Sequence, residues 1–119
     1  MAKLVVSITC AKDNTDKATV GFVVANAGVV SGVETVVFLS TEGVRLAEQG
    51  YADGILEEGF KPLRELLESF TANGGTIWVC SPCFKKRALA EDKLVPGALI
   101  VGGAKLVEFL SQGASCITY

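Results

Sequence analysis

Runs of β-branched residues alternate with helix-forming stretches along the whole chain. The runs predict five strands, over residues 4–10, 33–39, 76–79, 98–101 and 115–119. The stretches between them predict helices over 16–30, 40–49, 62–72 and 104–112, and a short helix that begins at 81. Because parallel strands are joined by right-handed crossovers, this alternation predicts an α/β fold in three layers. We expect a mainly parallel five-stranded sheet in the doubly wound order 2-1-3-4-5.

The length and composition are those of one globular domain. The chain has 119 residues, of which 50% are hydrophobic and 20% are charged. A chain of this size builds a single core, and this balance excludes disorder as its dominant state. The sequence shows no internal repeat, low-complexity tract or linker. We therefore expect residues 1–119 to form a single domain.

The charge pattern argues against nucleic acid and membranes as partners. Eleven Lys and Arg against thirteen Asp and Glu give a net charge of −2, which is unsuited to polyanion binding. The longest uncharged stretch covers residues 18–33 and is broken by glycine, asparagine and serine, so it is a poor spanning helix. The N-terminal residues do not resemble a signal peptide. We expect a cytoplasmic protein with no membrane insertion.

The same uncharged stretch predicts an interface. A helix that packs only on a sheet needs one apolar stripe and keeps charge on its outer side. Residues 18–33 carry no charge on any side. Loops of the same chain are one possible cover, and a second subunit is the other. We favour the second, which predicts a homo-oligomer.

Histidine is absent, so the candidate chemistry belongs to the four cysteines. Imidazole bases, histidine metal sites and histidine triads are excluded. In a cytoplasmic chain, cysteines are more often reactive thiols or core residues than a disulfide framework. No GxGxxG or P-loop motif is present, and no cofactor is expected.

Cys80 and Cys83 form a Cys-Ser-Pro-Cys motif directly after the third predicted strand. Ser81 is a good helix cap and Pro82 suits the first helical position. Both sulfurs then lie at the start of a helix, where the dipole favours a thiolate. Three basic side chains follow and add positive potential: Lys85, Lys86 and Arg87. The motif therefore predicts a nucleophilic sulfur or a site for an anionic ligand.

The other two cysteines are less defined. In the order 2-1-3-4-5, Cys10 and Cys80 end neighbouring strands, so Cys10 is expected to face Cys80 across a crevice. Its alternative is a small buried apolar residue. Cys116, inside the last strand, is predicted to be core. A zinc site of four thiolates requires all four cysteines to meet, and without a second CxxC motif it is the weaker hypothesis.

Further candidates lie after the other strands. Gly102 and Gly103 follow the fourth strand and allow a close backbone approach at the same edge of the sheet. Ser40, Thr41 and Glu42 follow the second strand and are interpreted as an ordinary helix cap. Asp53, Glu57 and Glu58 are most simply part of a solvated loop, and the alternatives are a lid over the site or a docking place for a basic partner.

In order and spacing, these segments resemble the DsrE/DsrF/DsrH-like family of small sulfur-relay proteins, which includes TusD-type and YchN-type members. The resemblance is carried by residues 36–44 (VVFLSTEGV), 61–67 (KPLRELL), 77–83 (IWVCSPC) and 98–104 (ALIVGGA). It implies a flavodoxin-like fold assembled as trimers or hexamers. It also implies that Cys80 accepts sulfur as a persulfide and passes it on. Cys83 departs from the simplest family pattern, because it adds a second thiol.

The function expected from the residues and the resemblance is that of a sulfur carrier or sulfurtransferase. Cys80 takes sulfane sulfur from a donor protein or a small sulfane-sulfur anion, and an acceptor protein receives it. Cys10, Gly102, Gly103 and the basic residues 85–87 are the expected binding residues. A thiol–disulfide redox protein that uses Cys80 and Cys83 is one alternative. A small-ligand-binding oligomer with incidental thiols is the other.

Overall fold

The computed structural model describes residues 2–119, which fold around one parallel sheet. Its strands are β1 (Lys3–Ile8), β2 (Glu34–Leu39), β3 (Thr76–Cys80), β4 (Ala98–Val101) and β5 (Ser115–Thr118). The α-helices are α1 (Thr15–Val30), α2 (Leu63–Ala72), α3 (Ser81–Lys86) and α4 (Gly103–Leu110). Two 3₁₀ helices, Thr41–Ala47 and Glu91–Lys93, lie after β2 and α3. The α/β class and the five parallel strands are as predicted.

The order of the strands is β4-β3-β2-β1-β5, which differs from the predicted 2-1-3-4-5. β2 lies between β1 and β3, and β5 pairs with the outer side of β1, with Val5 opposite Cys116. The packing of α4 accounts for the position of β5. Its Phe109 contacts Trp78 of β3 and belongs to one buried cluster with Phe38 of β2 and Val5 of β1. The chain therefore leaves α4 beside β1.

One face of the sheet carries most of the core. Helices α1 and α2 pack there together, and their Phe22 and Phe70 rings meet edge to face at 6.0 Å. Close approach of α1 to β1 requires a glycine, because a Cβ at Gly21 would lie 2.6 Å from Cδ1 of Ile8. The apolar residues at alternate positions of β1, β2 and β3 point into this core. Burial on this face explains why the strand patterns are almost continuously apolar.

In the described part of the chain, α4 is the helix that covers the opposite face. Trp78 and Phe109 meet there at 5.5 Å and are both buried. Beyond this cluster the face is open, because Leu99 on β4 and Val107 on α4 are 56% and 63% exposed. The fold therefore has three layers, and the layer formed by α4 covers only part of its face of the sheet.

Cys116 is exposed, so the prediction that it is a core residue is wrong. The reason is the strand order, which makes β5 an edge strand with all four of its residues exposed. A strand pattern alone does not separate a central strand from an edge strand.

Helix α1 keeps part of its uncharged surface outside this core. Val20 and Val23 are half-buried, Ala27 is exposed, and Val30 is 79% exposed. The homo-oligomer predicted from this surface stays a prediction. Among residues 2–119, no helix is both long and apolar enough to cross a membrane.

Replacing Phe70 by Ala tests the account of the main core. Phe70 is fully buried, and its ring lies against Phe22 and Gly75. We expect Phe70→Ala to lower the free energy of unfolding by about 3–5 kcal/mol, measured by denaturant titration. Phe60→Ala is the matched control, because Phe60 is 38% exposed, and its effect should stay within about 1 kcal/mol. Equal losses for the two variants would contradict this account.

Candidate functional site

Cys80 lies where β3 ends and α3 begins. It is the last residue of β3 and has extended backbone angles as the N-cap of α3. Ser81, which was predicted as the cap, is therefore the first residue of the helix, and Pro82 is its second. The Cys80 side chain is half-buried and packs against the cores on both faces of the sheet. The thiol is thus held at the carboxyl edge, close to the middle of the molecule.

Cys83 lies in the first turn of α3 and is also half-buried, and both thiols are free. Its neighbour Phe84 is buried in the main core, and its own carbonyl accepts a hydrogen bond of 3.2 Å from Nη1 of Arg87. Residues three apart lie on the same side of a helix. The structure therefore brings Cys80 and Cys83 together, as the spacing predicted.

The pKa of the Cys80 thiol is raised above its ordinary value of 9.0, chiefly by burial. The backbone N–H of Cys83 acts in the opposite direction and favours the thiolate, whereas the Cys83 thiol raises the pKa further. The expected lowering by the helix dipole is therefore outweighed for Cys80. Helix α3 has only six residues, so its dipole is small.

The three basic residues after Cys83 divide into two groups. Lys85 and Lys86 are exposed and lie near the site. Arg87 is 16% exposed, and its guanidinium lies 3.6 Å from Glu42 Oε1 while it also bonds the Cys83 carbonyl. Glu42 in turn pairs with Arg45. Arg87 therefore ties α3 to the segment after β2. Among residues 2–119, neither Lys85 nor Lys86 forms an ion pair, so both offer positive charge beside the motif.

Cys10 does not adjoin Cys80, so the expectation that the two thiols face each other across neighbouring strands is wrong. β2 lies between their strands, and two strand spacings amount to about 10 Å. Cys10 is 6% exposed within the main core. Burial first, and then the charge of Asp13, raise the pKa of its thiol. The alternative of a small buried apolar residue describes it better.

The segment after β2 occupies the place that was predicted for Cys10. Thr41 has a positive φ of 51° and donates a hydrogen bond of 2.6 Å to the Thr9 carbonyl. Gly43 packs against β1 so closely that a Cβ would lie 2.2 Å from the Ile8 carbonyl oxygen. The sequence interpretation of this segment as an ordinary cap missed its role beside α3. Glu42 is the residue in the sequence that could have indicated this role, but its partner Arg87 is revealed only by the observed strand order.

Gly102 and Gly103 lie beside Cys80, as predicted. Cys80 is paired in register with Val101, so the two glycines follow directly at the adjacent strand end. Both are exposed, and a Cβ added to either would meet nothing within 4 Å. This open space borders the thiol on its β4 side.

The acidic loop lies against other elements. Thr15 donates a hydrogen bond of 2.5 Å to Glu57, Lys12 N–H donates to the Tyr51 hydroxyl, and Asp53 pairs with Arg64 at 3.8 Å. Within the described part of the chain, none of the hydrogen bonds or ion pairs of residues 50–59 reaches Cys80 or Cys83. The lid interpretation therefore gains no support.

The four cysteines do not meet. Within residues 2–119, no group of three or more cysteines and carboxylates is gathered as metal ligands require. Cys116 lies on the far edge of the sheet from β4, and Cys10 is separated from Cys80 by β2. The four-thiolate zinc hypothesis is therefore not supported by the described residues.

A separate groove of about 890 Å³ lies between α2 and residues 95–97. Its lining includes Leu46, Leu67 and Pro96 but no cysteine. Its lining stays net negative, since Arg64 pairs with Asp53 and Glu68 while Glu48 adds a third carboxylate. Thus the groove and the thiol pair are distinct features.

The sequence pattern of the DsrE/DsrF-like family matches residues 2–119. The chain belongs to the DsrE/DsrF-like family. This membership is consistent with a general role in sulfur relay. It confirms the resemblance drawn from the sequence segments around Cys80 and the two glycines.

Two solved structures have a similar fold. The E. coli YchN protein superposes over the whole of both chains with a TM-score of 0.82 at 20% identity. MTH1491 of Methanobacterium thermoautotrophicum, a protein of unknown function, superposes over both whole chains with a TM-score of 0.73 at 17% identity. At these identities the similarity shows the fold alone.

Two archaeal relatives are similar in sequence. Uncharacterized protein MJ0989 of Methanocaldococcus jannaschii is 26% identical over 98% of this chain and 99% of its own length. Uncharacterized protein MJ0760 of the same organism is 27% identical over 87% of this chain, but the match spans only 38% of that protein. The domain thus matches both a protein of its own size and part of a larger one.

The raised pKa of Cys80 predicts how its alkylation depends on pH. Because the thiolate is the reacting species, the rate of Cys80 alkylation should still be rising between pH 8 and 9. Cys83→Ala removes a thiol that raises the pKa, so the Cys80 rate at pH 8 should increase in this variant. Mass spectrometry of the Cys80 peptide after timed exposure to iodoacetamide measures both. A rate that reaches its plateau below pH 8 would contradict this assignment.

Arg87 should stabilise the region around the thiols. Arg87→Met leaves the Cys83 carbonyl without its side-chain donor, and we expect a loss of about 1–3 kcal/mol in the free energy of unfolding. Lys86→Met is the control, because Lys86 is exposed and should change stability by less than about 0.5 kcal/mol. If both variants unfold at the same denaturant concentration, Arg87 does not have this role.

Proposed function

We propose that this protein is a sulfur carrier or sulfurtransferase in which Cys80 accepts sulfane sulfur as a persulfide. The observation that carries the proposal is the position of the Cys80 thiol. It lies at the carboxyl edge of a parallel sheet, packed between both cores and next to open space at Gly102 and Gly103. Ligands of open α/β sheets bind outside the carboxyl ends of the strands, and Cys80 lies at that edge, two strands from the switch point between β1 and β5. Membership of the DsrE/DsrF-like family supports the same chemistry.

The uptake step needs no cofactor. The Cys80 thiolate forms a bond to the terminal sulfur of the donor, while the donor's S–S bond breaks and its electron pair stays on the departing sulfur. Burial makes the thiolate scarce at neutral pH, but a thiolate of higher pKa is the stronger nucleophile once formed. The exposed Lys85 and Lys86 are placed to attract an anionic donor or an acidic partner surface.

Retention of the sulfur follows from the same environment. An acceptor thiol takes the outer sulfur by displacing Cys80, and a thiol of raised pKa leaves slowly. Small thiols would therefore unload Cys80 slowly, whereas a docked protein can supply both the attacking thiolate and the proton. The proposed partners are accordingly a sulfur-donor and a sulfur-acceptor protein, with small sulfane-sulfur anions as the alternative donors.

The setting of this function is part of the proposal. Free thiols persist in a reducing compartment, so we place the protein in the cytoplasm. The uncharged outer surface of α1 and the family resemblance support a homo-oligomer, a trimer or a hexamer. Arg87 acts in this scheme by positioning α3, and Cys10 has no step assigned to it.

Sulfur loading tests the proposal. Cys83→Ala and Cys80→Ala, each also carrying Cys116→Ser to remove the exposed thiol, are reduced, treated with polysulfide and desalted. Intact-mass spectrometry should show one added sulfur atom on the variant that keeps Cys80 and none on the other. A reductant should remove the added sulfur. Equal adducts on both variants, or none on either, would refute Cys80 as the acceptor.

A thiol–disulfide redox protein is the second candidate, and the proximity of Cys80 and Cys83 favours it. This function requires the pair to cycle with a sulfur-free oxidant such as diamide and a dithiol reductant. The redox function is supported if the disulfide forms readily in the wild type while Cys83→Ala takes up no sulfur from polysulfide.

The small-ligand-binding module would instead use the groove beside α2, and its ligand binding would survive removal of both thiols.

A further inference from the structure

The proposed steps of sulfur uptake and transfer use Cys80 and do not need Cys83, yet the structure holds the Cys83 thiol beside Cys80. Two contacts fix the backbone at this position. The Phe84 side chain is 3% exposed in the main core, and the Arg87 guanidinium bonds the Cys83 carbonyl at 3.2 Å. Between Cys80 and Cys83, the ring of Pro82 fixes the φ angle of one of the two intervening residues. Cys83 is therefore anchored rather than free to turn away from Cys80.

The separation of the two residues suits a disulfide. Side chains three residues apart in a helix have Cβ atoms about 5–6 Å apart, whereas a disulfide needs about 3.5–4.5 Å. Because Cys80 is the N-cap and has extended rather than helical angles, its side chain can close the difference without breaking the α3 turn. Both thiols are half-buried, which limits competition from thiols in solution.

We propose that Cys83 is a resolving thiol, which attacks Sγ of a Cys80 persulfide and expels the sulfane sulfur as hydrosulfide. This inference rests on the proposed function, since it needs a persulfide on Cys80. A bond forms between the two Cys Sγ atoms, and the bond from Cys80 Sγ to the outer sulfur breaks. The outer sulfur leaves with that electron pair, and the Cys83 proton completes H₂S. Sulfane sulfur is reduced to sulfide while the two cysteines are oxidised to a disulfide, so no other oxidant is needed.

The leaving groups favour this direction of attack. Attack on the outer sulfur would expel the Cys80 thiolate, which the buried environment disfavours. Attack on Sγ of Cys80 expels hydrosulfide, which is the less basic group and enters solvent at the open side near Gly102. Cys83 thereby sets the lifetime of a persulfide that no acceptor collects. A dithiol reductant must then reopen the disulfide before the next round.

Sulfide release after loading tests this inference. Wild type and Cys83→Ala, both in the Cys116→Ser background, are loaded briefly with polysulfide, desalted at once and incubated without added thiol. We expect the wild type to release sulfide in equal amount to the sulfur it took up and to end two hydrogens lighter than the reduced protein. Release from Cys83→Ala should be at least about 100-fold slower, because the intramolecular thiol is lost. Cys83→Ser, which keeps a side chain of similar size, should behave like Cys83→Ala.

The outcomes separate this inference from the proposed function. A wild type that keeps its added sulfur as long as Cys83→Ala does overturns the resolving role and leaves the carrier intact. If neither protein takes up sulfur, both the carrier function and the resolving role fail. Circular dichroism of each variant confirms that the loss of release is not a loss of fold.

Discussion

The burial of β3 from both faces of the sheet is the constraint on which the site depends. Ile77 and Val79 pack into the main core, and Trp78 between them packs against Phe109 on the other side. This alternation fixes the register of β3 between β2 and β4, and with it the position of Cys80 at the end of the strand. A reactive group placed there is held by two cores, so it needs no ligand or cofactor to hold it in place.

The same packing explains which parts of the fold the sequence predicts. The α/β class, the five strands and the position of Cys80 after β3 follow from local patterns that each segment carries by itself. The strand order does not follow from local patterns, because it depends on long-range packing. An example is α4, which packs on a cluster drawn from three strands. The misplacement of Cys10 follows from β2 lying between β1 and β3, and that of Cys116 follows from β5 lying at the outer side of β1. The hydrophobic periodicity of a segment does not determine which distant strands that segment packs against.

The candidate site shows the same division. The pairing of Cys80 with Cys83 and the open glycines at 102 and 103 are local or depend on adjacent strands, and the sequence predicts them. The link from Arg87 to Glu42 spans two elements that the predicted order kept apart, so the sequence assigned Arg87 to binding. The sequence also favoured a thiolate at Cys80, whereas the pKa of this thiol is raised. Burial between two cores outweighs the dipole of a six-residue helix, and burial is a property of the fold.

Taken together, the geometry describes a thiol that holds sulfur firmly and a neighbour that limits how long it does so. The most direct test of the central claim is a crystal structure of the polysulfide-treated Cys83→Ala variant. The account predicts electron density for one additional sulfur bonded to Sγ of Cys80, in the open space next to Gly102. An unmodified Cys80 in crystals that carry the extra sulfur on Cys10 or Cys116 would contradict it.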